Sequence, residues 1–203
     1  MKKILFPLLQ SNKGGNILST VSICNKIDKS KFKSFVLLIS KKDEYKYNIK
    51  NKKLDKNVKI NKLYIKNNNK FFFLFFLYIN LIKFFYLNRF DIIHTNDGIL
   101  NFHFSIICFF FRKKHILHLR NTDDSKRNYF SFYFSKKIIC ISNFIKKNIP
   151  IYFKKKAIVL YNYVDFFNKN IKLQKKHIKF LNQNKKKFFL FFISNIHKRK
   201  NPN

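Results

Sequence analysis

Residues 90–98 read Phe-Asp-Ile-Ile-His-Thr-Asn-Asp-Gly, and the way this stretch is read decides the fold. A short β-branched run, Asp91–Thr95, ends abruptly in polar residues. A glycine follows, then the long apolar run Ile99–Phe111. Too short for a helix and too uniformly apolar for a half-solvated strand, the first part predicts a buried strand. The second predicts a helix packed back on it.

The same unit recurs on both sides. Further strands are expected at Lys3–Leu9, Phe32–Ser40, Val58–Ile65, His115–Arg120, Lys137–Ser142, Ala157–Tyr161 and Phe188–Ser194. Helices are expected at Asn16–Ile27, Lys70–Leu87, Asn143–Asn148 and Ile171–Asn182. Strands alternating with helices imply an α/β fold, a Rossmann-like doubly wound parallel sheet covered on both faces. The stretch Asn168–Lys187 reads as a basic linker or helix.

In such sheets ligands lie beyond the carboxyl ends of the strands. The chain has only three glycines, and all fall in strand-to-helix loops: Gly14 and Gly15 after the first strand, Gly98 after the fourth. Glycine there lets backbone N–H groups approach a ligand and leaves a helix N-terminus facing an anion. The dinucleotide fingerprint and the phosphate-loop GK[ST] are both absent, so neither NAD nor ATP binding is supported. Polar side chains gather at the same edge: Asn16, His94, Thr95, Asn96, Asp97, His118, Arg120, Asn121, Ser142, Asn143, Asn162 and Asp165. Together they read as a cleft of hydrogen-bond formers for a polyhydroxyl ligand, with Ser142 better placed as a helix N-cap.

Other chemistries are disfavoured. Glu44 is the single glutamate and lies in the polar connection Lys41–Asn57, so a hydrolytic carboxylate pair is not expected. Asp123 and Asp124 are adjacent rather than in a DxD triad. His115 and His118 point to opposite faces of a strand, so no shared metal is expected. Cys24, Cys108 and Cys140 are odd in number and scattered, which argues against a disulfide framework and for a reducing cytoplasm.

The charge is extreme: 44 Lys+Arg against 9 Asp+Glu, a formal +35. Lys, Asn, Ile, Phe and Tyr are inflated together, the pattern of A/T-rich codons, so the bias does not by itself require a polyanionic partner. Its field still favours anionic lipid or RNA in a salt-dependent way. Two alternatives to an enzyme follow, a basic nucleic-acid-binding protein and a membrane-associated non-enzymatic protein. Phe71–Leu87, interrupted only by Asn80 and Lys83, is at the lower limit for a span. A buried or interface-lying helix between two strands fits it better than a span; a monotopic helix pressed into a leaflet, peripheral on the inner face of a membrane, is the functional alternative.

Six stretches occur in an order that resembles glycosyltransferase family 4. They are Pro7–Gly15, Phe90–Asn96, His118–Asn121, Ile138–Asn143, Val159–Asp165 and Phe192–Pro202. The resemblance implies a retaining GT-B enzyme whose N-terminal domain (residues 1–168) chiefly binds the acceptor. Residues 169–187 would link it to a donor-binding domain beginning at 188–203. By the same resemblance, His118 lies near the transferred sugar and Lys200 pairs with the donor diphosphate. Asn195 stands where many members have an arginine, and Tyr163 replaces a turn glycine. The partners implied are a nucleotide-sugar, as substrate rather than cofactor, and a glycan or lipid-linked acceptor of the kind used in cell-envelope polysaccharide biosynthesis. The family's Glu-x7-Glu segment does not occur in these 203 residues. A truncated chain, with no appreciable transfer on its own and in need of a C-terminal half encoded downstream or as a separate chain, is therefore expected.

Overall fold

The computed structural model describes residues 1–9, 15–40, 54–65, 69–96, 98–122, 129–162, 180 and 182–184. The chain divides into two compact units, Met1–Tyr163 and Val164–Asn203. The expected strand Phe188–Ser194 and nearly all of the expected helix Ile171–Asn182 lie outside the described residues.

In the first unit seven strands form one sheet: β1 (Lys2–Leu9), β2 (Phe32–Ser40), β3 (Lys59–Tyr64), β4 (Ile92–Thr95), β5 (Lys114–Leu119), β6 (Lys137–Cys140) and β7 (Ala157–Val159). Their spatial order is β3-β2-β1-β4-β5-β6-β7, and every pairing is parallel. The described helices are α1 (Gly15–Lys26), α2 (Lys70–Leu87), α3 (Gly98–Phe110), α4 (Tyr129–Phe134) and α5 (Asn143–Lys147), with a 3-10 helix at Ile151–Lys156. The α/β Rossmann-like architecture is as expected. The order reverses between β1 and β4, and it is beyond the carboxyl ends of the strands at such a switch point that doubly wound sheets bind their ligands.

Burial on both faces explains why the strands read as continuous apolar runs. Leu5, Leu37, Ile39 and Ile93 pack on one face against Leu81 and Phe85 of α2 and Phe104 of α3. Ile4, Phe6, Leu8 and Val36 pack on the other against Ile17 and Val21 of α1. At the far edge Leu117, Leu119, Ile138 and Cys140 enclose Phe132 and Phe153. Each fully buried Leu or Phe contributes about 1.5–3 kcal/mol relative to exposure. All three cysteines are free and buried, and burial pushes Cys24 up to about 12 and Cys140 up to about 11.

Several element ends have identifiable causes. Asn69 Oδ1 accepts a hydrogen bond from Phe71 N at 2.9 Å and caps α2. Ser142 accepts from Ile145 N at 3.3 Å, so β6 stops at Cys140, short of the expected Ser142. Arg112 takes a left-handed φ of 50° after α3, while Lys113 N donates to Cys108 O at 2.8 Å and Arg112 N to Phe109 O at 3.2 Å. That pair of bonds is a Schellman closure, built here on arginine rather than glycine. No described helix is long and apolar enough to cross a membrane.

Candidate functional site

The site is built at the switch point from residues that share the α1 face of the sheet. On β4 and just beyond it, His94 and Asn96 lie two residues apart and so project to the same side. His118 and Arg120 do likewise on β5. The chain's return through Asn162, after β7, brings a third carboxyl-end segment alongside.

Arg120 organises the cluster. Its Nε donates to Asn96 Oδ1 at 2.7 Å and its Nη2 to Asn162 Oδ1 at 3.1 Å. Asn96, its side-chain oxygen thus occupied, turns its Nδ2 to Asn16 O and Thr20 Oγ1, both at 3.3 Å. Thr20 Oγ1 in turn donates to Asn16 O at 2.9 Å. A chain of bonds therefore joins Asn162, Arg120, Asn96 and the first turn of α1. Partial burial lowers the Arg120 pKa by desolvation, yet arginine remains charged.

Gly15 opens α1 beside this guanidinium. A methyl group built on Gly15 would stand 3.4 Å from Arg120 Nη1, an ordinary contact, and none of the described glycines has positive φ. The chain's own packing thus does not demand glycine at position 15. The N-terminus of a 12-residue helix and a guanidinium nevertheless face the same place, a favourable setting for an anion.

Beneath Arg120 lie two histidines. His94 Nε2 is 3.3 Å from His118 Nδ1, the ring centroids are 5.4 Å apart, and Phe6 packs behind His94 at 5.2 Å. Desolvation, and then the Arg120 charge, lower His94 to about 4; desolvation, His94 and Arg120 lower His118 to about 3. Both rings are neutral at physiological pH, so one proton serves the contact between them. With His94 donating, His118 carries its own proton on Nε2. That Nε2 is buried and has no hydrogen-bond partner. An unmatched buried polar atom costs about 1–3 kcal/mol, which a ligand hydroxyl would recover.

His115 faces the other way, as expected. It lies between Thr95 Oγ1 at 2.8 Å and Ser105 Oγ at 3.2 Å, a structural bracket between β4, β5 and α3. Of the residues expected at the site, Asn16, His94, Asn96, His118, Arg120 and Asn162 come together. Asn121 is at the exposed rim. Gly14, Asn195 and Lys200 lie outside the described residues. Thr20 was not anticipated; a threonine one turn after a helix start gives no local sign of a partner 76 residues away.

No protein-family model and no curated protein matches the chain. Solved structures do. HepE of Anabaena, in complex with UDP and glucose, superposes with a TM-score of 0.62 at 16% identity, over 90% of this chain and 50% of HepE. The lipopolysaccharide outer core galactosyltransferase WaaB gives 0.60 at 14%, over 85% of this chain and 50% of WaaB. UDP-GlcNAc 2-epimerase from Methanocaldococcus jannaschii gives 0.60 at 13%, over 79% and 45%. This chain therefore spans half or less of each of these three. At such identities the likeness establishes the fold, a Rossmann-like lobe of the kind found in GT-B glycosyltransferases and related epimerases.

Proposed function

We propose that this chain is the acceptor-side lobe of a retaining GT-B glycosyltransferase of family 4. It would act with a nucleotide-sugar on a lipid-linked or polysaccharide acceptor. The observation that carries the reading is His118 Nε2, buried without a partner at the switch point, beside Arg120 and the N-terminus of α1. A neutral imidazole can hydrogen-bond a sugar hydroxyl without opposing the positive charge that develops on a sugar ring during transfer. The guanidinium and the helix terminus favour the negative charge of a diphosphate or an acidic acceptor. In a front-face transfer the bond from the anomeric carbon to the diphosphate breaks and the acceptor oxygen forms its bond on the same side. The departing diphosphate takes the acceptor's proton, so no carboxylate base is required. The proposal leaves the gripping of the nucleotide to a second lobe, with Lys200 and Asn195 at its start. A sugar-nucleotide epimerase remains the closest competitor, since that chemistry occurs on a like fold.

Imidazole nitrogen NMR on the 203-residue chain tests the reading. Addition of UDP-hexoses or their free sugars is expected to shift the His118 signals, and to leave those of His115 in place. If none of a panel of nucleotide-sugars and sugars perturbs His118, even at concentrations that offset the missing grip of a second lobe, the assignment of this site fails. Transfer of sugar to an acceptor in the presence of a donor lobe would separate transferase from epimerase.

A further inference from the structure

Apart from Asn80 and the exposed Lys83, whose long stem can carry its charge out of an apolar layer, α2 is apolar around its circumference, but the protein covers only one side of it. Leu77, Leu81 and Phe85, spaced by four, are buried. On the remaining arc Phe72, Phe75, Ile79, Ile82 and Tyr86 are 49%, 54%, 46%, 50% and 81% exposed. A helix apolar on all sides belongs in a core or against an apolar medium.

The exposed arc continues onto its neighbours. Tyr78 of α2 bonds His103 of α3 at 2.8 Å. The rings of Phe102 and Phe130, 5.4 Å apart, and of Phe109 and Phe134, 4.8 Å apart, join α3 to α4. The outer sides of three helices thus make one surface on one face of the sheet. None of the three contains an acidic residue. Cations gather where α2 and α3 end, at Arg89, Arg112 and Lys113. The last two line a hollow of about 560 Å³ together with Phe109, Phe110 and Phe134.

We propose that this surface is a monotopic docking face for an anionic lipid bilayer, with the rings in the acyl boundary and the helix-end cations among the headgroups. It rests on the helix faces alone and does not depend on the sugar-transfer reading. A second copy of the chain is disfavoured, since each carries +35 and the apolar arc of α2 is broader than a helix-pairing seam. RNA is disfavoured because α3 and α4 carry no Lys or Arg among their rings, whereas a single-strand groove needs cations along its length.

The test is flotation of the full chain with vesicles of phosphatidylcholine alone and of phosphatidylcholine mixed with phosphatidylglycerol. The chain is expected to float with the anionic vesicles and to keep part of that binding in moderate salt. The double variant Phe75→Ser, Phe110→Ser is expected to partition about tenfold more weakly, from the apolar area removed. Leu18→Ser, on the opposite face, is expected to behave as wild type. All three proteins should have matching circular dichroism and melting temperatures. Binding of the double variant equal to wild type would overturn the proposal. So would binding by every protein alike that disappears in moderate salt, leaving only the generic field. Ring-dependent dimerisation in sedimentation, or ring-dependent capture of single-stranded RNA that displaces the vesicles, would assign the surface elsewhere.

Discussion

His94 Nε2 meets His118 Nδ1 at 3.3 Å across the β4–β5 pair, and when these two nitrogens are hydrogen-bonded one of them donates and the other accepts. His94 is buried under His118 with Phe6 at its back, so it acts on a ligand only through its neighbour. What His118 presents at Nε2, a proton or a lone pair, is thereby set from behind.

Replacing His94 by Phe keeps the ring's bulk and removes that control. His94→Phe is expected to leave His118 Nδ1 unmatched, at a cost of about 1–3 kcal/mol in denaturant unfolding. The tautomer balance of His118, read from its ring nitrogen shifts, should move as well. Unchanged His118 shifts in the variant would show that the contact sets nothing.

Acid should unfold this protein through its histidines. In the unfolded chain each titrates near pH 6.5. In the fold, burial holds His94 near 4 and His115 and His118 near 3. Each folded pKa is depressed, so the unfolded state binds more protons between those values. Stability is therefore lost as pH falls below about 6.5, at about 1.4 kcal/mol per histidine per pH unit. Melting temperatures across pH 7 to 4.5 should fall steeply. His115→Gln, whatever its own stability, should reduce the slope by about one proton.

Much of this was legible in the chain because parallel strands buried on both faces carry long apolar runs, as Ile4–Leu9 of β1 and Phe35–Ile39 of β2 do. The polar residues that break those runs mark the carboxyl edge, which is why Asn96, His118 and Arg120 could be named together. The contact between His94 and His118 was not legible. The register places His94 beside Ile116, so His118 is reached only diagonally, and a slip of one residue would send it to the other face. Helix α4 was missed because Tyr129–Phe134 is six residues of nearly unbroken aromatic character, with no period to read. α2 was expected to be buried or to lie at an interface, and its sequence alone cannot divide the two. Only its packing against Leu5 and Ile93 shows which stripe the protein covers.

Arg120 holds two amides at once, Asn96 and Asn162, through nitrogens in a fixed planar fork. Lysine keeps the charge but cannot reproduce that geometry. Arg120→Lys is expected to lower stability by about 1.5–3 kcal/mol, the range for hydrogen bonds to a charged group. It should also shift the amide signals of Asn96 and Asn162. Wild-type stability in this variant would mean that the cluster is held together by α1 rather than by Arg120.

Lys156 closes α4. Its Nζ donates to the carbonyls of Tyr133 at 3.0 Å, Ser135 at 3.2 Å and Phe132 at 3.4 Å, and it lies 5.8 Å from the centre of the Phe153 ring. The last carbonyls of a helix have no partner of their own and carry partial negative charge. Lys156→Met keeps most of the stem and removes the donor, with an expected cost of about 1–2 kcal/mol. Hydrogen exchange should report it first at α4 and the neighbouring start of β6. A loss spread evenly over the sheet would instead point to repacking around Phe153.

The end of α3 makes the least intuitive prediction. Arg112 occupies the left-handed position of a Schellman closure, where a side chain costs roughly 1 kcal/mol and glycine costs nothing. Its partners, Phe109 O and Cys108 O, are bonded through backbone atoms that any residue supplies. Arg112→Gly should therefore stabilise the protein by about 0.5–1 kcal/mol and raise the melting temperature by about 1–4 °C, although glycine widens the unfolded ensemble and offsets part of the gain. The same substitution removes one cation from the hollow beside Phe110, so affinity for anionic vesicles should fall while the melting temperature rises. Opposite movement of the two readouts is the signature. A variant that melts earlier would mean that the Arg112 side chain makes up its backbone cost through contacts at the helix end, and a variant that melts later but binds vesicles as well as wild type would remove Arg112 from the docking face.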